Sequence, residues 1–189
     1  MDGTLTRPIH DFEAIRAAME IPSGQPILEY LDQLPSALAE PLYAKLDSIE
    51  HGLAARATRP DGVLELLERL RELGKRLGIV TRNSRDIALK TLNACSLDHF
   101  FLPDDVVGRE QASPKPQPDG IELLLHRWGA APNDTVMIGD FLYDLQAGRA
   151  AGTATVYVDH SGEFPWACYA DQSVEDLAVL LHDFHPSST

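Results

Sequence analysis

The sequence predicts an α/β protein with a doubly wound, parallel, Rossmann-like sheet and a small all-helical cap insertion. From Asp61 onward, short apolar runs alternate with segments whose apolar residues recur at helical spacing. This alternation is typical of a parallel sheet covered by helices on both faces. Residues 9–57 show helical spacing alone, divided by Pro22, Gly24 and Pro35. We therefore expect a core of residues 1–8 and 58–189 and a helical insertion of residues 9–57.

The core elements follow from the spacing of apolar residues and from their boundary residues. The pattern predicts helices over residues 60–74, 84–94, 118–129, 142–151 and 172–183, and strands over residues 76–80, 135–138 and 153–158. Ser84 is a suitable N-cap, and Gly74 and Gly129 are placed to end their helices. The tail, residues 185–189, is expected to fray.

Composition narrows the classes of partner. The chain has 189 residues, 16 basic and 29 acidic, for a net charge of −13. Nucleic acid and anionic membranes would repel such a surface, so we expect neither as a partner. A small anionic substrate needs only a local positive pocket and stays compatible with this charge. The composition leaves open whether the protein is a monomer or a homodimer.

The lack of recognisable targeting signals and the spacing of the cysteines predict a cytoplasmic protein. No apolar run approaches the roughly 20 residues that span a bilayer. The start of the chain lacks a basic segment followed by an apolar one. Cys95 and Cys168 have neither metal-ligand spacing nor a disulfide framework, so we expect buried free thiols.

Polar residues follow the predicted strands at the points where each strand ends. They are the Asp2-Gly3-Thr4 turn, Thr81, Lys115 in the loop before a helix, and Asp140 with Asp144. Open parallel sheets bind ligands at the carboxyl ends of their strands, so we expect these groups to converge. A mixture of carboxylates, a lysine and a hydroxyl suits phosphoryl transfer, in which a cation such as Mg²⁺ must screen two approaching anions.

The same residues, in this order, resemble the haloacid dehalogenase superfamily of phosphate-transferring hydrolases. The likeness includes the Lys-Pro-x-Pro run at residues 115–118 and the Gly-Asp-x-x-x-Asp-x-x-x-Gly run at residues 139–148. It is strongest to the phosphoglycolate-phosphatase-like group with a helical cap. The resemblance implies a Mg²⁺-dependent phosphatase that hydrolyses a small phosphomonoester through an aspartyl-phosphate, with residues 9–57 as a mobile cap over the site.

The resemblance also implies a role for each residue. Asp2 would be the general acid and base, and its backbone carbonyl would bind Mg²⁺. Asp140 would bind the metal directly, and Asp144 would hold the metal or its waters. Lys115 would neutralise the phosphate and the nucleophile. The remaining phosphate ligands would be Gly3, Thr81, Arg82 and Asn83.

One position of the family pattern is not matched. The first motif of the family is Asp-x-Asp-Gly-Thr after an apolar strand, and Met1 stands at x. The nucleophilic aspartate would therefore lie one place before Met1. We expect the chain as given to be inactive, either because it begins after the nucleophile or because it lacks the chemistry.

Several alternatives follow from the unmatched position and from the family's branches. The chain could be a catalytically inactive binding protein, a phosphomutase, or a phosphonatase that uses Lys45 of the insertion. Asp2 argues against the dehalogenase branch, which lacks this second aspartate. A signalling receiver domain would lack both the helical insertion and the Gly-Asp-x-x-x-Asp run. The roles of Arg85 and His10 stay open, as does the substrate.

Overall fold

The computed structural model describes residues 1–184 and shows an α/β protein with parallel strands. Within residues 1–184 the seven α-helices are α1 (Phe12–Ala18), α2 (Ile27–Asp32), α3 (Ser36–Ala54), α4 (Val63–Glu72), α5 (Arg85–Ala94), α6 (Asp119–Trp128) and α7 (Leu142–Ala150). The five strands are β1 (Ile79–Val80), β2 (Val106–Val107), β3 (Val136–Gly139), β4 (Ala154–Val158) and β5 (Gln172–Val174). Helices and strands alternate from α4 to β4, and the strands pair in parallel, which confirms the predicted fold class.

Residues 9–57 contain α1, α2 and α3 and no strand, and we call them the helical segment. Asp11 caps α1, because its side chain accepts a hydrogen bond from the backbone N–H of Ala14 at 2.9 Å. The helices pack on a small apolar core of their own, whose fully buried members include Met19, Leu31 and Leu46. This separate core gives the helical segment its own internal packing.

The strands form two parallel sheets. β1 pairs with β2, with Ile79 opposite Val106, and β4 pairs with both β3 and β5. A single apolar cluster nevertheless connects the sheets, because it contains Ile79 of β1, Val156 of β4 and Met1. β1 and β4 therefore border one shared core.

Two features of the sheets differ from the prediction. Residues 172–174 form β5, followed by a 3₁₀ segment over Leu177–Phe184, in place of the predicted helix over residues 172–183. The reason is the edge of β4, where parallel pairing sets Val156 opposite Gln172 and Asp171 accepts a hydrogen bond from Thr155. β2 was not predicted, because two valines carry no periodicity. The prediction for residues 185–189 lies outside the described residues.

Other predicted boundaries agree within a few residues. Ser84 caps α5 through a hydrogen bond from the backbone N–H of Ile87, and Gly129 ends α6 in the left-handed conformation. Cys95 is a buried free thiol as predicted, but Cys168 is exposed, so its predicted burial was wrong. Among the residues that the structure describes, none forms a helix with the length and apolar character needed to cross a membrane.

Candidate active site

The first residues form a tight turn that presents Asp2. The carbonyl oxygen of Met1 accepts backbone hydrogen bonds from Thr4, Leu5 and Thr6, which closes the turn. The Asp2 carboxylate is half-buried, and its Oδ2 accepts a 2.8 Å hydrogen bond from Asn83 Nδ2. Asn83 follows β1, so the structure brings together two segments that are 81 positions apart.

Gly3 lies against the carboxylate of Asp140. Its φ angle is +77°, and a Cβ atom there would stand 2.2 Å from Asp140 Oδ2. Only glycine allows both this conformation and this close approach. Thr4 Oγ1 donates a 2.7 Å hydrogen bond to Asp140 Oδ1, which fixes the carboxylate after β3. His160 Nε2 lies 3.1 Å from the carbonyl oxygen of Gly3 and holds the other side of the turn.

Lys115 and Asp144 form a buried ion pair at 2.5 Å, with only 7% of each side chain exposed. The ammonium group also donates to the carbonyl oxygen of Val80 at 2.7 Å, so it lies at the carboxyl end of β1. The other carboxylate oxygen of Asp144 accepts a hydrogen bond from the backbone N–H of Phe141. A Cβ atom on Gly139 would lie 2.2 Å from Asp144, which explains the glycine before Asp140.

The pKa values of the two aspartates after β3 shift in opposite directions. Burial raises the pKa of Asp140, and the nearby Asp144 carboxylate adds to this rise. Burial alone would raise the pKa of Asp144 too, but the Lys115 ammonium lowers it, assisted by the amino group of Met1. The Met1 amino group therefore lies within electrostatic reach of both carboxylates.

The segment after β1 uses several of its polar groups within the protein. Thr81 is buried; its backbone N–H donates to the carbonyl oxygen of Val107, and its hydroxyl accepts from the backbone N–H of Asn83 at 3.1 Å. The Arg82 guanidinium donates to the carbonyl oxygen of Lys115 and to both carboxylate oxygens of Glu29 on α2, at 2.8 Å each. Arg82 therefore connects the candidate site to the helical segment.

A second arginine makes a similar connection. Arg109, after β2, binds Asp47 at 2.5 Å and Glu50 at 3.1 Å, both on α3. Burial raises the pKa of Glu50 to about 7, although Arg109 opposes the rise. Pairing between distant segments leaves no local pattern in the sequence, so the sequence does not predict these contacts of Arg109, Glu29, Asp47, Glu50 and His160.

Three residues whose roles the sequence left open lie away from the cluster around Asp2 and Asp140. Arg85 donates to the carbonyl oxygen of Pro103 and to Asp104 in the segment before β2. His10 stacks on Phe12 with ring centroids 5.6 Å apart. Lys45 donates to the carbonyl oxygen of Ala18 inside the helical segment. This contact removes support for a lysine-dependent phosphonatase.

The predicted site residues thus fall into one region at the carboxyl ends of β1 and β3. Asn83 contacts Asp2, Gly3 lies on Asp140, and Lys115 joins Asp144 to the end of β1.

Among the residues that the structure describes, no group of three or more His, Cys, Asp or Glu side chains could hold a metal ion. Any metal here would depend on oxygen atoms from one or two carboxylates, the backbone, water or a ligand.

Fold and site together define a parallel α/β protein whose strand ends carry an acidic and basic cluster suited to phosphate chemistry. The family model described as haloacid dehalogenase-like hydrolase matches residues 9–158. The chain therefore belongs to the haloacid dehalogenase-like hydrolase family.

Curated relatives and solved structures agree with this membership. The chain is 36% identical over 129 residues to pyrophosphatase PpaX of Bacillus velezensis, covering 66% of this chain and 59% of the relative. It is 39% identical over 125 residues to pyrophosphatase PpaX of Listeria monocytogenes, covering 66% and 52%. The chain thus spans little more than half the length of these curated relatives.

Structural similarity extends over nearly the whole chain. A hydrolase from Pseudomonas syringae superposes with a TM-score of 0.79 at 25% identity, covering 96% of this chain and 93% of that one. CbbY from Rhodobacter sphaeroides, solved in complex with phosphate, superposes with a TM-score of 0.69 at 21% identity, covering 95% and 93%. The second likeness shows the fold alone.

Proposed function

We propose that the protein is a Mg²⁺-dependent phosphatase that hydrolyses a small-metabolite phosphomonoester through an aspartyl-phosphate intermediate. The observation that carries the proposal is the buried Lys115–Asp144 pair, which sets an ammonium group at the end of β1 beside the Asp140 carboxylate after β3. A fixed cation and a fixed carboxylate at neighbouring strand ends suit a phosphoryl group and its counter-ion.

The donor atoms of the site fit Mg²⁺. Mg²⁺ prefers hard oxygen ligands and is commonly held by one or two carboxylates together with water and phosphate oxygens. Asp140, whose Oδ2 faces Gly3, would supply a carboxylate, and the backbone carbonyl of Asp2 would supply a second oxygen. Asp144, with its oxygens bound to Lys115 and Phe141, would act by orienting Lys115 and the waters around the metal. When bound, Mg²⁺ would supply positive charge that screens the phosphate from the nucleophile.

The nucleophile is proposed to be the carboxylate of an aspartate joined to the Met1 nitrogen. Met1 directly precedes Asp2, and the neighbouring Gly3 and Thr4 contact Asp140, so a residue attached to the Met1 nitrogen would lie next to the cluster. An apolar strand leading to it would fit between β1 and β3, which belong to separate sheets in the described residues. Met1 already packs in the apolar cluster that joins those sheets.

The chemistry then proceeds in two steps. The aspartate oxygen forms a bond to phosphorus while the ester P–O bond breaks, and Asp2 donates its proton to the leaving alkoxide. A water molecule next attacks phosphorus and loses a proton to Asp2. The bond between phosphorus and the nucleophilic aspartate then breaks, so that inorganic phosphate leaves and the carboxylate of the nucleophile is regenerated. Asn83 holds the Asp2 carboxylate in place, and Lys115 neutralises charge on the phosphoryl oxygens. The hydroxyl of Thr81, which accepts from Asn83 and can donate its own proton, completes the proposed phosphate ligands together with the backbone N–H groups of Gly3 and Arg82.

The helical segment is proposed to be the cap that covers the site. Arg82 and Arg109, both near the carboxyl ends of strands, bind carboxylates of α2 and α3. These ion pairs between the helical segment and the loops after β1 and β2 support the proposal. The proposal includes a cytoplasmic location, a small phosphorylated substrate, and either a monomer or a homodimer.

Phosphate release from a panel of phosphomonoesters tests this function, using a chain that carries the proposed nucleophile. We expect turnover that requires Mg²⁺ and stops with EDTA. Asp2→Asn should lower the rate by about 10²- to 10⁴-fold, the usual contribution of a general acid and base. Asp61→Asn, at a fully exposed side chain, is the control. Equal rates for the two variants would remove Asp2 from the chemistry.

A further inference from the structure

A cavity of about 340 Å³ lies between the helical segment and the core. Its polar wall comes from Asp32, Tyr43 and Asp47 of the helical segment, and from Arg109 and Glu110 after β2. The volume is within the range of small-molecule sites. The cavity is large enough for the alcohol part of a small ester.

The cavity adjoins the proposed phosphate site. Pro114 forms part of its wall and directly precedes Lys115. The backbone N–H of Arg109 donates a 3.0 Å hydrogen bond to the carbonyl oxygen of Asn83, whose side chain binds Asp2. Asp2 is the group proposed to protonate the leaving alcohol, so an alcohol that extends from Asp2 past Asn83 would reach this cavity.

The cationic group in the wall is already neutralised. Arg109, with 11% of its side chain exposed, binds the carboxylates of both Asp47 and Glu50. Arg82, on the neighbouring loop, is likewise bound by Glu29. A second anion on the substrate would therefore compete with these carboxylates for either guanidinium group.

The rest of the wall is acidic or hydrogen-bonding. Asp32 and Glu110 are two further carboxylates, and neither is paired with Arg109. Tyr43 donates a 2.6 Å hydrogen bond to Asp32. Partial burial and this hydrogen bond raise the pKa of Tyr43 to about 12, so the phenol stays neutral. The wall as a whole carries an excess of negative charge.

We propose that this cavity selects phosphomonoesters whose alcohol is uncharged or carries an ammonium group, and rejects those with a carboxylate or a second phosphate. The inference rests on the proposed function, since it assigns the substrate class of that same site. A neutral or cationic alcohol leaves the Arg109 ion pairs intact, whereas a second anion meets Asp32, Asp47 and Glu110. The preference therefore differs from that of an enzyme acting on pyrophosphate.

Binding of three matched phosphomonoesters to the 189-residue protein tests the inference. The probes carry phosphate on a two-carbon chain that ends in an ammonium, a hydroxyl or a carboxylate group: phosphoethanolamine, ethylene glycol monophosphate and phosphoglycolate. Calorimetric titration with Mg²⁺ present should give the weakest binding for the carboxylate, by about tenfold relative to the ammonium ester. Pyrophosphate should bind no better than the carboxylate ester.

Two variants separate charge selection from general damage. Asp47→Asn frees one side of Arg109, so binding of the carboxylate ester should strengthen severalfold, a gain that misfolding cannot produce. Glu65→Gln, at an exposed position on α4, should leave the order unchanged. Failure of every ester and of orthophosphate to bind would count against the proposed function. Equal or tighter binding of the carboxylate ester, or no gain in Asp47→Asn, would overturn the charge selection alone.

Discussion

Replacing Lys115 with methionine should strongly destabilise the fold. The change keeps the side chain's length but removes the charge that faces Asp144 at 2.5 Å. Only 7% of the Asp144 side chain is exposed, so water cannot replace the lost partner. Breaking a buried ion pair on one side costs about 3–5 kcal/mol. The free energy of unfolding of a typical domain is about 5–15 kcal/mol, so this loss is a large share of it.

Urea unfolding at neutral pH measures the loss. For a chain of this size, about 3–5 kcal/mol corresponds to a fall in melting temperature of roughly 6–20 °C. Lys115→Met combined with Asp144→Asn should recover part of the stability, because no buried charge then stays unpaired. Lys75→Met, at an exposed position, should change the free energy of unfolding by less than about 0.5 kcal/mol.

A Lys115→Met variant as stable as Lys75→Met would contradict this expectation. Such a result would mean that Asp144 reaches water or another cation, so that the ion pair is not the main support of this carboxylate. A double variant less stable than Lys115→Met would contradict the argument as well, because it would show that the remaining charge is not what destabilises the single variant.

Three further perturbations test the geometry of the site. Gly3→Ala should lose more stability than Gly24→Ala in thermal unfolding, since both glycines have positive φ angles but only a Cβ at Gly3 would clash, 2.2 Å from the Asp140 carboxylate. Equal losses would exclude the clash. Asp140→Asn should weaken Mg²⁺ binding in calorimetry more than Asp144→Asn does, because only Asp140 is proposed to bind the metal directly; the reverse order would contradict the assignment. Folding raises the pKa of Glu50 from 4.5 to about 7, so between these two pH values the folded protein keeps a proton on Glu50 that the unfolded chain has lost. Its contribution to stability should therefore fall as pH rises from 4.5 to 7, by at most about 3 kcal/mol. Glu50→Gln should remove this pH dependence from urea unfolding curves; an unchanged dependence would place its origin elsewhere.

The sequence predicts the part of the site that depends on strand order. Thr81 and Asp140 each follow a predicted strand and Lys115 lies in the loop before a predicted helix, and the carboxyl ends of parallel strands meet at one edge of a sheet. Their convergence in the structure follows from topology. The helices of residues 9–57 could be predicted for a similar reason, because helical spacing over several turns is a strong local signal.

The contacts between segments could not be predicted in this way. Arg109 meets Asp47 across 62 positions, and His160 meets Gly3 across 157. Which charged side chains pair over such separations depends on the packing of the whole chain. β5 was missed because Gln172–Val174 gains its strand conformation from the edge of β4, an effect of tertiary structure that overrides local spacing.

The proposed function requires transfer of phosphate to an aspartate held at the Met1 nitrogen. Its most direct test is phosphate release, with Mg²⁺, by three proteins: the 189-residue chain, a chain extended before Met1 by an apolar strand ending in aspartate, and the same extension ending in asparagine. We predict turnover by the aspartate-extended chain alone, abolished by EDTA. Equal turnover by all three proteins would contradict the account, because the attack on phosphorus would then come from another group.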